Sequence, residues 1–286
     1  MSDEFTIPGL IGPGTQKDPD GIELSPMEMP REMATFELPV APEPEDVVGM
    51  ESGKARLHAL QEALARYRIG EPAIVLDLGD LPPEDLGLVN QILGEGEVSM
   101  VAGSDIQVQE SVFAGAWRVL HFSDGRISRD TIEVADWPHS VRDRVFADAA
   151  PAPEPASDPL PEGVFNAPAL LTEIAEKVAG WQPGAEVHSI NLSLLPHTEE
   201  DLSYLVEKLG KGDTIVLSRG YGNCRVSSTG TQNVWWVQYY NSQDALILNS
   251  LEITDVPEVV CAAQEDVDDS AERLAEVMSL YAEPAQ

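Results

Sequence analysis

The feature that most constrains the fold is an internal duplication. The segments Glu84–Leu86 and Leu93–Gly96 have counterparts with the same spacing at Glu200–Leu202 and Leu209–Gly212. Further along, "GAWRVLHF" aligns with "NVWWVQYY", and "TIEVADWPHSV" aligns with "SLEITDVPEVV". Blocks that recur in the same order indicate that one structural unit occurs twice in the chain.

Both copies show the same order of predicted elements. Helical spacing of apolar residues in "ARLHALQEALARY" and "APALLTEIAEKVAGW" predicts a first helix, which a short strand follows. A second helix ends at glycines, and three extended segments with hairpin-like turns come after it. We therefore predict an α+β fold of two tandem α-β-α-β-β-β units, each with a small antiparallel sheet and helices. A last amphipathic helix closes the chain.

Proline and acidic residues mark the boundaries between these units. Eight of the 22 prolines fall within residues 1–50, together with eleven Asp or Glu against two Lys or Arg. Such a segment cannot bury enough apolar surface to offset its ordering entropy, so we predict a disordered or extended acidic arm. Residues 151–164 read as a stiff, Pro-rich linker. The first repeat then covers 51–150, and the second covers 165–286 with the C-terminal helix.

The overall charge limits the class of partner. A formal net charge of −33 argues against nucleic acid and anionic membranes, which carry charge of the same sign. The N-terminus lacks the pattern of a secretory signal, and no apolar run reaches the roughly 18 residues of a membrane span. The two cysteines do not make a disulfide framework. These observations predict a cytoplasmic protein that is not inserted in a membrane.

Differences between the copies indicate where function lies. Trp117 and Trp235 occupy the same aligned position, so we predict that both belong to the core. Trp236, in contrast, aligns with Arg118. Because side chains alternate along a strand, Trp236 lies on the opposite face from Trp235. It either packs between the two copies or exposes an aromatic surface to a partner.

Cys224 has no counterpart in the first copy. Arg219 and Arg225 flank it in the sequence and would stabilise a thiolate, which lowers the pKa of the thiol. The alternative is a buried structural thiol in a strand. No histidine is tied to Cys224 by a motif, and two cysteines are too few for a zinc or iron–sulfur site. No phosphate loop or calcium loop is found either, so we predict no catalytic residue, cofactor or metal.

The region from Arg219 to Leu274 carries a family resemblance. It reads "RGYGNCRVSSTGTQNVWWVQYYNSQDALILNSLEITDVPEVVCAAQEDVDDSAERL". This stretch resembles the C-terminal signature of the hydrogenase expression/formation proteins called HupH, HoxQ or HyaF. The segments "PGLIGPGTQ" and "MATFELPV" are similar to the N-terminal arm of that family.

The resemblance implies a non-enzymatic accessory chaperone in the maturation of an uptake nickel–iron hydrogenase. It would hold the iron–sulfur small-subunit precursor, with its twin-arginine signal, in the cytoplasm before assembly and export. A thioredoxin-like accessory protein of the HyaE or HoxO type is the expected companion. Two alternatives are a general acidic scaffold and a thiol-based redox protein centred on Cys224. On the signature we place a hypothetical partner-binding set: Arg219, Tyr221, Cys224, Arg225, Trp236, Tyr239 and Tyr240.

Overall fold

A computed structural model describes residues 41–220 and 222–281. Its first half consists of α1 (Glu51–Arg66), β1 (Ile74–Asp77), α2 (Pro83–Leu93), β2 (Val98–Ala102), β3 (Ile106–Glu110), β4 (Ala116–Ser123), β5 (Arg126–Val134) and the short α3 (His139–Arg142). Its second half consists of α4 (Ala167–Gly180), β6 (His188–Asn191), α5 (Glu199–Leu209), β7 (Lys211–Ser218), β8 (Asn223–Thr229), β9 (Val234–Tyr240), β10 (Leu246–Ile253) and α6 (Gln264–Ser279).

The α+β class is confirmed, but the expected pair of small sheets is not found. All the strands join in one ten-stranded antiparallel sheet of order β1-β5-β4-β3-β2-β7-β8-β9-β10-β6. The two halves meet where β2 pairs with β7, and Met100 lies directly opposite Val216 in this pairing. Each small sheet would have exposed an unpaired edge at this position, and the β2–β7 pairing satisfies the backbone groups of both edges.

The number of strands was also underestimated. Each half has four consecutive strands after its second helix, whereas three were predicted. The additional strands are β3 and β8. The sequence of β3, "IQVQE", alternates apolar and polar residues over its first four positions only, which gives a weak strand signal. The predicted hairpin turn between β4 and β5 is present, with Asp124 and Gly125 both at positive φ.

A shared aspartate fixes each pair of helices. In the first half the Asp85 carboxylate accepts a hydrogen bond from the Gly53 N–H of α1 at 2.6 Å. In the second half Asp201 completes a capping box with Thr198 and also accepts from three backbone N–H groups before and at the start of α4, at residues 165–167. Burial by itself would raise the pKa of Asp201, but these N–H donors lower it to about 2. The repeated Glu-Asp-Leu motif is therefore a structural motif that joins neighbouring helices.

The two faces of the sheet are covered differently. On the face that we call the helix face, α4 and α5 pack over Trp236 and Leu251. In the first half, Arg118 on the same face contacts Asn90 of α2 at 2.6 Å. The opposite face, which we call the tryptophan face, carries the shared residues Trp117 and Trp235. Both are fully buried, which confirms their prediction as core residues.

Segments from each half cross over to the other half. Trp137 and Phe146, which follow β5, contact the ring of Trp235 edge-on at centroid distances of 6.1 and 5.1 Å. In return, the Ala262 N–H donates to the Asp136 carbonyl, and α6 then packs against α1. The C-terminal helix was assigned to the second repeat by its position in the sequence, yet it lies against the first half.

The predicted arm and linker are described only in part. Residues 1–40 of the arm lie outside the described residues, and within 41–50 the side chain of Val47 is buried. Residues 151–164 contain no helix or strand. Part of this segment contacts the second half, since Glu154 N–H donates to the Lys208 carbonyl and Ser157 N–H donates to the Tyr204 hydroxyl.

Arg142 links the two halves on the tryptophan face, so its loss should destabilise the protein. Its guanidinium group forms ion pairs with Asp136 at 2.8 Å and with Asp255, two carboxylates at aligned positions of the duplication. In Arg142→Met, the partly buried Asp136 carboxylate loses its ion pair and keeps the hydrogen bond from the Tyr67 hydroxyl at 3.2 Å. We expect the free energy of unfolding in urea to fall by about 1–3 kcal/mol. Arg68→Met, which removes an exposed pair with Asp268, should cost less than about 1 kcal/mol. Equal losses in both variants would contradict this assignment.

Glu110 should make the stability depend on pH. Burial on the tryptophan face, with a contribution from the charge of Glu97, raises its pKa from 4.5 to about 7. The folded protein therefore keeps a proton that the unfolded chain has released, and stability should fall as the pH rises from about 4.5 to 7. Glu110→Gln removes this effect. We expect it to raise the free energy of unfolding at pH 8 by up to about 3 kcal/mol, and much less at pH 4.5. A gain that is the same at both pH values would contradict the prediction.

Candidate partner-binding site

Those of the hypothetical partner-binding residues that lie on β8 and β9 fall on both faces of the sheet and do not form one surface. Arg219 follows β7, is exposed, and its backbone N–H donates to the Glu97 carbonyl at 3.1 Å. Tyr221 lies outside the described residues. Cys224 and Arg225 are neighbours on β8, so their side chains point to opposite faces of the sheet.

Trp236 is not on the surface. Its side chain is 3% exposed and belongs to the cluster formed by α4, α5 and the helix face of β9 and β10. The indole Nε1–H donates to the side-chain oxygen of Asn249. The expected exposed ring is therefore not found, and neither is packing between the copies. Arg118, at the aligned position of the first copy, contacts α2 of its own half. The difference between Arg118 and Trp236 therefore replaces a polar contact between sheet and helix with an apolar one.

Of the hypothetical set, the structure brings Cys224 and Tyr239 into contact. They lie opposite each other on β8 and β9 and form a side-chain hydrogen bond on the tryptophan face. Tyr240 lies on the helix face, half-buried, and its hydroxyl contacts the Gln238 side-chain oxygen at 3.3 Å. The tyrosines therefore belong to different surfaces.

Cys224 has the environment of a structural thiol. It is 3% exposed, and burial raises the pKa of its thiol to about 12; the hydrogen bond from Tyr239 only partly opposes this shift. Arg225 cannot stabilise a thiolate on the tryptophan face because its side chain leaves the strand on the helix face. Of the two alternatives given for Cys224, the buried structural thiol agrees with this environment, and the thiol with a lowered pKa does not.

A pocket opens beside this pair and was not predicted. We call it the glutamate pocket; it has a volume of about 440 Å³ and is lined by Val187, Tyr239, Glu252, Glu258 and Val259. Burial and the nearby charge of Glu258 raise the pKa of Glu252. Both glutamates lie in the aligned block "SLEITDVPEVV", and a comparison of this block with the first copy could have pointed to them.

A second surface feature also escaped the sequence analysis. Phe165 is 70% exposed and Leu194 is 80% exposed, with Leu195 half-exposed beside it. The chain before α4 and the chain before α5 are neighbours, because the Asn166 side chain donates to the Pro196 carbonyl at 2.9 Å. We call these three exposed side chains, which lie on neighbouring segments, the apolar patch. Single exposed residues do not reveal such a patch until the fold brings their segments together.

Within residues 41–220 and 222–281, no group of three or more His, Cys, Asp or Glu side chains is arranged to hold a metal ion. Across the same residues, no helix has the length and apolar character needed to cross a lipid bilayer.

Comparison with known proteins identifies the family. The model of the C-terminal conserved region of the HupH hydrogenase expression protein matches this chain twice, over residues 50–150 and 164–281. The chain belongs to the HupH hydrogenase expression protein family. The two matched regions of this HupH-family protein correspond closely to the aligned copies of the sequence.

Named relatives extend over almost the whole chain. The hydrogenase expression/formation protein HupQ of Azotobacter chroococcum is 48% identical over 276 residues, which cover 95% of this chain and 96% of HupQ. The hydrogenase expression/formation protein HoxQ of Azotobacter vinelandii is 46% identical, covering 97% of this chain and 98% of HoxQ. A solved structure of the hydrogenase expression protein HupH from Thiobacillus denitrificans is 34% identical, covers 40% of this chain and 95% of the solved chain, and gives a TM-score of 0.38.

The burial of the thiols predicts low reactivity. Burial raises the pKa of both Cys224 and Cys261 to about 12, so the thiolate fraction at pH 8 is very small. We expect iodoacetamide to modify the native HupH-family protein at least about 100-fold more slowly than the urea-unfolded chain. Mass spectrometry of peptides would give a rate for each cysteine. Modification of native Cys224 as fast as in the unfolded chain would favour the thiol-based alternative instead.

Proposed function

We propose that this protein is a non-enzymatic accessory chaperone in the maturation of an uptake nickel–iron hydrogenase. In this proposal it holds the iron–sulfur small-subunit precursor in the cytoplasm until the precursor is assembled and exported through its twin-arginine signal. A thioredoxin-like protein of the HyaE or HoxO type is the proposed companion. The names of the relatives support a role in hydrogenase expression or formation.

The observation that carries the chaperone proposal is an exposed apolar patch on a strongly acidic protein. Phe165 and Leu194 present large apolar side chains to solvent, while the whole chain has a net charge of −33. An export signal has the complementary composition, with basic residues followed by an apolar segment. The apolar segment would bury Phe165 and Leu194, and the basic residues would be attracted by the acidic surface.

The same features suit a complex that must later dissociate. Long-range attraction between opposite charges speeds the encounter more than it tightens the complex. An apolar patch of a few side chains supplies only moderate affinity, compared with the extensive apolar interfaces of permanent complexes. A general acidic scaffold would use the charge alone, so its binding would not depend on Phe165 or Leu194. The high pKa of Cys224 argues against the thiol-based redox alternative.

Affinity purification tests the proposal directly. The tagged protein would be recovered from cells that are building a hydrogenase, and mass spectrometry would quantify the small-subunit precursor with its signal still attached. The double variant Phe165→Ser with Leu194→Ser should recover at least about 10-fold less precursor, since burial of each apolar side chain contributes roughly 1.5–3 kcal/mol.

The control for this experiment is Ile127→Ser. Ile127 is 56% exposed at the start of β5, in the other half of the chain, so its loss should leave precursor recovery unchanged. Recovery of no hydrogenase subunit by the original protein would refute the chaperone proposal. Undiminished recovery by the double variant, together with loss of binding in salt, would favour the acidic scaffold.

A further inference from the structure

The glutamate pocket differs from its counterpart in the first copy in an informative way. Glu133, which aligns with Glu252, lies against the start of α3. Its carboxylate accepts a hydrogen bond from the Ser140 N–H at 3.2 Å and another from the Ser140 hydroxyl. The Glu133 carboxylate of the first copy is therefore already hydrogen-bonded within the protein.

Two substitutions remove this arrangement in the second copy. Val259 aligns with Ser140 and offers no side-chain hydroxyl, and Glu258 aligns with His139 and adds a second negative charge. Both residues line the pocket together with Glu252. Among the contacts of residues 41–220 and 222–281, the Glu252 carboxylate has no hydrogen bond or ion pair, while Glu258 acts on it as a like charge. Glu252 is half-buried and Glu258 is exposed, and a cation from outside would stabilise the two neighbouring negative charges.

The remaining walls define what kind of cation fits. Tyr239 contributes an aromatic ring, and Val187 and Val259 contribute apolar side chains. Aliphatic groups would pack against the valines, and a cationic head would meet the tyrosine and the carboxylates. The volume of about 440 Å³ is well above that of one long side chain and lies in the usual range of small ligand pockets, roughly 300–1,000 Å³.

We propose that the glutamate pocket binds the guanidinium group of an arginine side chain from a partner polypeptide. Glu252 and Glu258 would accept its N–H groups, and the ring of Tyr239 would contact its planar face. Guanidinium fits better than ammonium because it forms bidentate hydrogen bonds with carboxylates, stacks on aromatic rings and is less strongly hydrated. The identity of the partner as the basic signal of the small-subunit precursor rests on the function proposed above; the chemistry of the pocket does not.

A titration followed by nuclear magnetic resonance tests the pocket. The probe is Nα-acetyl-L-arginine amide, added at millimolar concentrations to the full-length protein labelled with ¹⁵N. We expect saturable shifts that are concentrated on the amides of Val187, Tyr239 and Val259. Glu252→Gln should weaken the binding by about 10-fold, the value typical of one lost hydrogen bond to a charged group.

Three controls make the test decisive. Glu272→Gln removes the same charge from an exposed position of α6 and should bind the probe as the original protein does. The citrulline derivative, which has nearly the same shape without the charge, should cause no saturable shift, and the lysine derivative should bind more weakly. Shifts spread over the whole acidic surface, equal binding of citrulline or lysine, or unchanged binding by Glu252→Gln would each overturn the proposal.

The outcome separates this proposal from the chaperone function. If arginine does not bind the pocket but the precursor is still recovered by affinity purification, the pocket assignment fails and the chaperone function stands. If arginine binds as expected and no hydrogenase subunit is recovered, the pocket is real and its partner is a different basic polypeptide.

Discussion

The pairing of β2 with β7 is the interaction on which the rest of the structure depends. It joins two strand sets into one ten-stranded sheet and leaves β1 and β6 as the only strands at its ends within the described residues. The antiparallel pairing places Met100 opposite Val216. This arrangement brings the segments that follow β5 and β10 onto one face of the sheet, where Arg142 can meet Asp136 and Asp255 together.

Each half then completes the core of the other half. Trp137 and Phe146 from the first half cover Trp235, and α6 from the end of the chain packs on α1. The larger core cluster contains residues of both halves, among them Trp117 and Trp235, so we expect the halves to unfold together as one cooperative unit. A stable framework of this kind leaves loops and strand ends free to diverge, and the apolar patch and the glutamate pocket both lie in such places.

The sequence predicted the class of fold better than it predicted the site. The α+β class, the helices and the buried tryptophans followed from periodicity and from the alignment of the copies. The site hypothesis relied instead on the unusual composition of β8 and β9. Trp236 was expected either between the two copies or on the surface, because no pattern in the sequence shows that α4 and α5 cover it. The hypothesis of a stabilised Cys224 thiolate relied on two arginines that are close in the sequence, but residues that are close along a strand need not have side chains in contact. Strand alternation places Arg225 on the other face.

The sequence by itself determined the α+β class, the aligned blocks of the two copies, the negative charge and the resemblance to the family. All of these depend on local patterns or on similarity along the chain. Only the tertiary structure decided that the two sheets are continuous, that α6 returns to the first half, and that Glu252 and Glu258 share a pocket with Tyr239. The physical reason is that backbone pairing between strand edges leaves almost no signature in side chains. A pocket, moreover, is formed by residues from several segments, whose proximity exists only after folding.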